Sequence, residues 1–216
     1  MNLNPDLKTL LDVGIHLGHP VKNTHPEMYP HVYGSRNGQA ILNLDNTVVA
    51  LRQTLAVMSN VQRNGGSILF ANKQLDLAPI NKKLALDTGH FYVNRWTNGL
   101  LTNWDVQRSY IDMFHQKVSS GTLGKGRKLR KIKKLRKSFD GIIEMDEKPD
   151  MIFLFHAKHS DNVIKEANRC NIPVIAVVDS DCNPTGIDYP IPGNDNSLEA
   201  SYLIAQLIAT ALERQV

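Results

Sequence analysis

Eight histidines and 21 carboxylates are enough for acid–base or metal chemistry, so their spacing decides whether they can do any. His16, His19, His25 and His31 gather near the start, but not at the interval that puts two imidazoles on one helix face, and no cysteine or carboxylate cluster completes them. They read as satisfied or partner-facing histidines, and no metal site is expected. Asp179, Asp181 and Asn183 begin like a calcium loop, yet Pro184 stands where the sharp turn needs glycine and Pro190 where a bidentate glutamate belongs. Gly121 to Gly126 has the glycine spacing of a phosphate-binding loop, but Arg127 and Lys128 replace the Lys-Ser or Lys-Thr that would hold phosphate and magnesium. No catalytic residue and no cofactor is therefore expected.

The remaining chemistry is cationic. Ten of the 25 Lys and Arg residues lie between Lys117 and Lys137 without an intervening Asp or Glu, so the rest of the chain holds 15 basic against 21 acidic residues. A mildly acidic body with one concentrated positive segment makes a local polyanion-binding site, with nucleic acid favoured over a solvated helix face, an anionic membrane or an acidic protein. The candidate nucleic-acid contacts in the segment are Lys125, Arg127, Lys128, Arg130, Lys131, Lys133, Lys134, Arg136 and Lys137. Four isolated cations join them: Lys22, Arg36 in the Gly34–Gly38 loop, Lys73 beyond a strand end, and Arg95 between a strand and the basic segment. For Lys73 and Arg95 a phosphate contact and a structural ion pair are equally open.

An α/β body must carry these groups. Residues 67–71, 151–155 and 173–178 are short continuous apolar runs of the kind that strands buried on both faces require, and a fourth strand includes Phe91, Tyr92 and Val93. Leu44, Val48, Leu51, Leu55 and Met58 recur at helical steps, as do Val163, Ala167 and Cys170. Asn196 with Glu199 resembles a capping box that opens a last helix bearing Leu203, Leu207 and Leu212. Strands alternating with helices predict a central parallel sheet covered on both faces.

The stretch 104–140 breaks the alternation. Val106, Tyr110 and Met113 form one stripe, glycine clusters follow, and Leu129, Ile132, Leu135 and Phe139 form a second, which predicts a basic helical hairpin inserted into a body of residues 1–103 and 141–216. Trp96 and Trp104 are expected as packing anchors at its root. No apolar run approaches the roughly 20 residues of a membrane span. Cys170 and Cys182 form no disulfide framework, which favours a reducing compartment. The start of the chain has neither an apolar signal core nor an arginine-rich presequence.

Five ordered blocks carry a resemblance. The run Leu10 to His19 (Leu-Leu-Asp-Val-Gly-Ile-His-Leu-Gly-His) resembles the N-terminal signature of the small ribosomal subunit protein two family in its bacterial and organellar form. Ile41 to Thr47, Ile68 to Lys73, Asn94 to Trp104, and the C-terminal series Ile164 to Asn168, Ile172 to Val174, Val178-Asp179 and Ile191 to Asp195 are similar to later family segments. The resemblance implies a flavodoxin-like or Rossmann-like body with an inserted helical hairpin and no catalytic activity. It also implies binding to small-subunit ribosomal RNA and to neighbouring ribosomal proteins, with no small-molecule substrate. There are departures: Val21 to Met28 keeps a single Lys where the family has a basic, tryptophan-containing run, and Thr97-Asn98 replaces a Leu-Gly pair. The segment after Trp104 is shorter than is usual in bacteria. Such drift suits a mitochondrial ribosome better than a plastid or bacterial one. The alternative function is a nucleotide-dependent Rossmann-like enzyme, which would need a glycine-rich turn after the first strand, where Ala71-Asn72-Lys73-Gln74 stands.

Overall fold

The structure is a computed structural model that describes residues 5–72, 74, 76–119, 139–158 and 160–213. Five parallel strands form the central sheet: β4 (Ile68–Ala71), β5 (Phe91–Val93), β6 (Met151–Leu154), β7 (Val174–Val178) and β8 (Tyr189–Pro192). They lie in the order β5-β4-β6-β7-β8. The four expected strands are present. The fifth, β8, escaped the sequence reading because prolines at positions 190 and 192 interrupt its apolar pattern; it sits at the sheet edge, where a missing N–H costs least.

Alternation along each strand splits the core in two. Ile68, Phe70, Met151, Phe153, Ile175 and Val177 face one side, where they meet α2 (Leu44–Arg63), α3 (Ala78–Thr88) and α6 (Leu198–Ala211). Phe153 and Phe155 pack edge to face with centroids 4.9 Å apart. Leu69, Ala71, Ile152, Leu154, Val174 and Ala176 face the other side, against α4 (Trp104–Ser119), α5 (Asp161–Arg169) and the return segment Phe139, Ile142 and Met145. Both faces are covered, which is why these strands read as continuous apolar runs.

The α2 stripe behaves as expected, with Val48, Leu51, Leu55 and Met58 buried behind an Asn43 cap that accepts the Asp45 N–H. The last helix differs from expectation. Ser197, not Asn196, is its cap, accepting the Ala200 N–H at 3.1 Å, and Ala200, Ile204 and Ile208 form its buried face rather than Leu203 and Leu207. In an almost wholly apolar helix, periodicity alone does not select the inner face.

A second, smaller sheet precedes the body. After the short α1 (Leu7–Asp12), β1 (Leu17–Pro20), β2 (Val32–Arg36) and β3 (Gln39–Leu42) pair antiparallel in the order β1-β3-β2. Arg36 was expected in a loop. It is instead the last residue of β2, paired with Gln39 across a two-residue turn in which Asn37 and Gly38 both have positive φ, the geometry that suits a right-twisted hairpin.

Of residues 104–140, α4 and the return from Phe139 lie within the described residues; 120–138, and with them the expected second arm of the helical hairpin, lie outside them. Trp104, Ile111 and Phe139 are buried. The Arg108 guanidinium donates to the carbonyls of Ile143 (2.8 Å) and Met145 (2.7 Å) and pairs with Asp112 and Asp146. α4 is thus clamped to the segment that follows Phe139, and Trp104 is buried as its expected packing role requires. Val106, Tyr110 and Met113 are exposed among the described residues, so the body contact runs through a different face of α4 than the sequence stripe suggested.

Candidate functional site

The loops that leave the C-terminal ends of the parallel strands carry two groups of polar residues. Above β6 and β7 the polar groups meet one another. His19 Nδ1 lies 3.1 Å from Asp179 Oδ2, and Nε2 lies 3.6 Å from Asp181 Oδ2. Lys158 pairs with Asp181, and buried His156 lies 3.0 Å from buried Asp195. Burial and the nearby Asp195 charge push the Asp179 carboxyl up, while His19 and the Ser180 N–H pull it back. Burial, reinforced by Asp195 and Asp181, pushes the Cys182 thiol up to about 12, so it stays protonated and inert.

The small sheet is what closes this region. His25 N donates to the Ser180 carbonyl at 2.8 Å, and His19 N to the Ser180 hydroxyl at 2.8 Å. Gly18 allows the approach: a Cβ there would stand 2.7 Å from Ser180 Oγ and 3.1 Å from the Ala40 carbonyl. The glycine of the Leu-Gly-His run is therefore a packing requirement between β1 and the end of β7. Chemically, His19, Asp179 and Asp181 bring their donor atoms within 4.8 Å of one another, a set that could take a divalent cation. Lys158 already supplies positive charge to Asp181. In the sequence His19 belongs to the N-terminal histidine group and Asp179 and Asp181 to the calcium-like run, and no local spacing joins the two.

Above β4 and β5 the edge is open. The order of the strands reverses between β4 and β6, so the loops that follow them diverge and leave a crevice of about 400 Å³. Leu154 and Val163 line its floor, and Arg95, Trp96, Asn98 and Asn162 stand around it. Glu166 holds the wall in place. This buried carboxylate accepts Trp96 Nε1–H (3.2 Å), Gly99 N–H (2.8 Å) and Leu101 N–H (3.2 Å), which ties the segment 96–101 to α5. Trp96 is the expected anchor, and Glu166 is the partner that no spacing in the sequence announced. Arg95 is exposed and makes no hydrogen bond or ion pair with any described residue, which removes the ion-pair alternative within that set.

The other sequence candidates fall elsewhere. Exposed Lys22 sits in a 3-10 turn beside the β2–β3 hairpin, since Val21 N donates to the Gly38 carbonyl at 3.0 Å, so Lys22 and Arg36 share one end of the small sheet. Lys73, Lys125, Arg127, Lys128, Arg130, Lys131, Lys133, Lys134, Arg136 and Lys137 lie outside the described residues. After β4, Asn72 Nδ2 donates to the Gln74 carbonyl (2.8 Å) and its Oδ1 accepts the Gln74 N–H (3.0 Å). An asparagine-closed turn therefore occupies the place where a nucleotide-dependent enzyme would carry its glycine-rich loop.

Comparison with known proteins gives the same reading along nearly the whole chain. The family model described as ribosomal protein S2 matches residues 10–215. The small ribosomal subunit protein uS2 of Shewanella loihica is 39% identical over 216 residues, covering 95% of this chain and 89% of the relative. The uS2 of Shewanella sediminis has the same identity and coverage, and that of Idiomarina loihiensis is 36% identical over 220 residues, covering 97% and 91%.

Proposed function

The chain belongs to the ribosomal protein S2 family, and from that premise we propose that it is a structural constituent of the small ribosomal subunit that binds small-subunit ribosomal RNA and neighbouring ribosomal proteins during translation. It is a structural protein, not an enzyme. The observation that carries the RNA reading is the segregation of charge: ten cations in 21 residues, joined to a net acidic body. The clamp of Arg108 at the root supports it, because a fixed root gives the cations a defined place from which to meet phosphate. In this reading residues 104–140 are an inserted RNA-binding unit on a body of 1–103 and 141–216. Lys125 to Lys137 supply much of the affinity, with Lys22 and Arg36 as a second contact and Lys73 and Arg95 as single ones. No membrane takes part.

The mechanism is positional. Cations neutralise phosphates and release counterions, and the α/β body fixes their geometry. Replacing Lys128, Lys131, Lys134 and Lys137 by Gln should weaken binding to small-subunit RNA without lowering the unfolding midpoint of the body. With about half of the ten cations on phosphate, log K against log salt should have a slope of roughly −3 to −5. A slope near zero, or unchanged affinity in the variant, overturns the reading.

The proposed location is the mitochondrial ribosome. Its support is the loss of cations between Val21 and Met28 and the Thr97-Asn98 pair, within an otherwise bacterial-type chain. Fractionation of the source cells with an antibody to this chain checks it: recovery in mitochondrial small subunits is expected, and recovery in bacterial cytoplasmic or plastid ribosomes overturns it.

A further inference from the structure

We propose that the crevice above β4, β5 and β6 is a binding site for one unpaired nucleotide of an RNA strand, its phosphodiester on Arg95 and its base against Trp96, Asn98 and Asn162. This inference rests on the RNA-binding reading and gives the contact at Arg95 a defined site among the described residues of the body.

The position comes first. In an open parallel sheet, the loops separate where the strand order reverses, and the space between them is where ligands of such sheets bind. Here that space is about 400 Å³, within the range of roughly 300–1,000 Å³ typical of small-ligand pockets. Its chemistry is mixed in the way a nucleotide is mixed. Leu154 and Val163 give an apolar floor. Trp96 adds a flat ring whose orientation is set by its bond to Glu166, so it can receive a base without first losing rotamer freedom.

The polar groups are arranged for an edge. Asn162 Nδ2 reaches Asn98 Oδ1 at 3.4 Å, and this is the one hydrogen bond of either side chain among the described residues. The Asn98 amide nitrogen and the Asn162 amide oxygen are left as a neighbouring donor and acceptor, the pair of functions that a base edge presents in reverse. Arg95, uncommitted within the described residues, supplies the cation. Glu166, the buried carboxylate beside the wall, is occupied by three N–H groups and does not confront the phosphate.

The charge count selects the source of the nucleotide. A free di- or triphosphate carries two to four negative charges and needs a phosphate cradle, but the turn after β4 is closed by Asn72 instead. A phosphodiester within a strand carries one charge, which one arginine matches. A weak site suffices in that case, because the rest of the chain holds the RNA and raises the local concentration of the nucleotide.

Nuclear magnetic resonance on the full-length chain tests the proposal, with a six-nucleotide unstructured RNA as probe and adenosine monophosphate and inorganic phosphate as controls. The oligonucleotide should shift the Trp96 indole and the Asn98 and Asn162 side-chain amides. Arg95→Gln should weaken that binding about tenfold, the loss of one charge-assisted hydrogen bond. Lys128, Lys131, Lys134 and Lys137 replaced by Gln should leave the same signals responding. Adenosine monophosphate should move these signals only at higher concentration, and phosphate should not move the amides. Silent signals, shifts insensitive to Arg95→Gln, or tighter binding of the free nucleotide than of the strand would each overturn the crevice site. Ribosomal RNA affinity and its salt slope, measured on the same preparation, separate the two readings. Intact RNA binding over a silent crevice removes this site alone, whereas loss of both removes the RNA reading as well.

Discussion

The two halves of the C-terminal edge of this sheet face the same problem and solve it in opposite ways. Over β6 and β7, the carboxylates of Asp179, Asp181 and Asp195 are met by His19, Lys158 and His156, and the small sheet seals them. Over β4 and β5, Glu166 and Asn72 are satisfied inside the chain, whereas Arg95 and parts of Asn98 and Asn162 make no hydrogen bond with a described residue. The difference teaches how to separate structure from recognition in a polar cluster. Groups that pair with one another in the interior hold the fold, and exposed groups that are fixed but unpaired are those a partner can complete.

The contrast makes claims of decreasing size. Asp195→Ala removes the buried partner of buried His156 and should cost about 3 kcal/mol, read from the urea denaturation midpoint. A cost no larger than that of a surface substitution would dissolve the description of this half as structural. Glu166→Gln comes next. It keeps one acceptor but turns an amide against a backbone N–H, so about 2 kcal/mol should be lost. The Trp96 indole signal should broaden or move as the crevice wall loosens, and a variant as stable as the parent would show that the wall does not depend on Glu166.

The pH dependence is smaller and has a definite sign. Burial holds His16 and His31 below the ordinary 6.5, so the folded chain binds fewer protons there than the unfolded one. Their contribution is present above pH 6.5 and is lost as pH falls through their lowered folded values. Asp179, raised from 3.8, acts in the opposite direction, contributing below that value and losing its contribution as pH rises through its folded value. The denaturation midpoint should therefore fall as the pH is taken from about 7 to about 5.5, and His16→Asn with His31→Asn should flatten that fall. The smallest effect belongs to the open half. Arg95→Gln should change stability by no more than about 0.5 kcal/mol, because no described residue depends on Arg95. A larger loss would place Arg95 among the groups that hold the fold.

The sequence by itself determined the elements whose surroundings are uniform. Strands buried on both faces had to be apolar throughout, so β4, β6 and β7 were legible, and α2 was legible because one face alone is buried. It also determined the segregation of charge, which depends on counting residues and on nothing spatial. Irregular pieces were not legible: β1 and β3 pair with a register shift between Leu17 and Pro20, and short bulged strands leave no clean alternation. The meeting of His19 with Asp179, of Glu166 with the N–H groups of Trp96, Gly99 and Leu101, and of Arg108 with Ile143 and Met145 belonged to the tertiary structure alone. Each joins residues 35 to 160 positions apart, and no local period encodes such a distance. The crevice is the clearest case. It exists because the connection from β4 runs to one side of the sheet and the later one returns to the other, and that choice depends on which edges and apolar faces remain free when the strands pack.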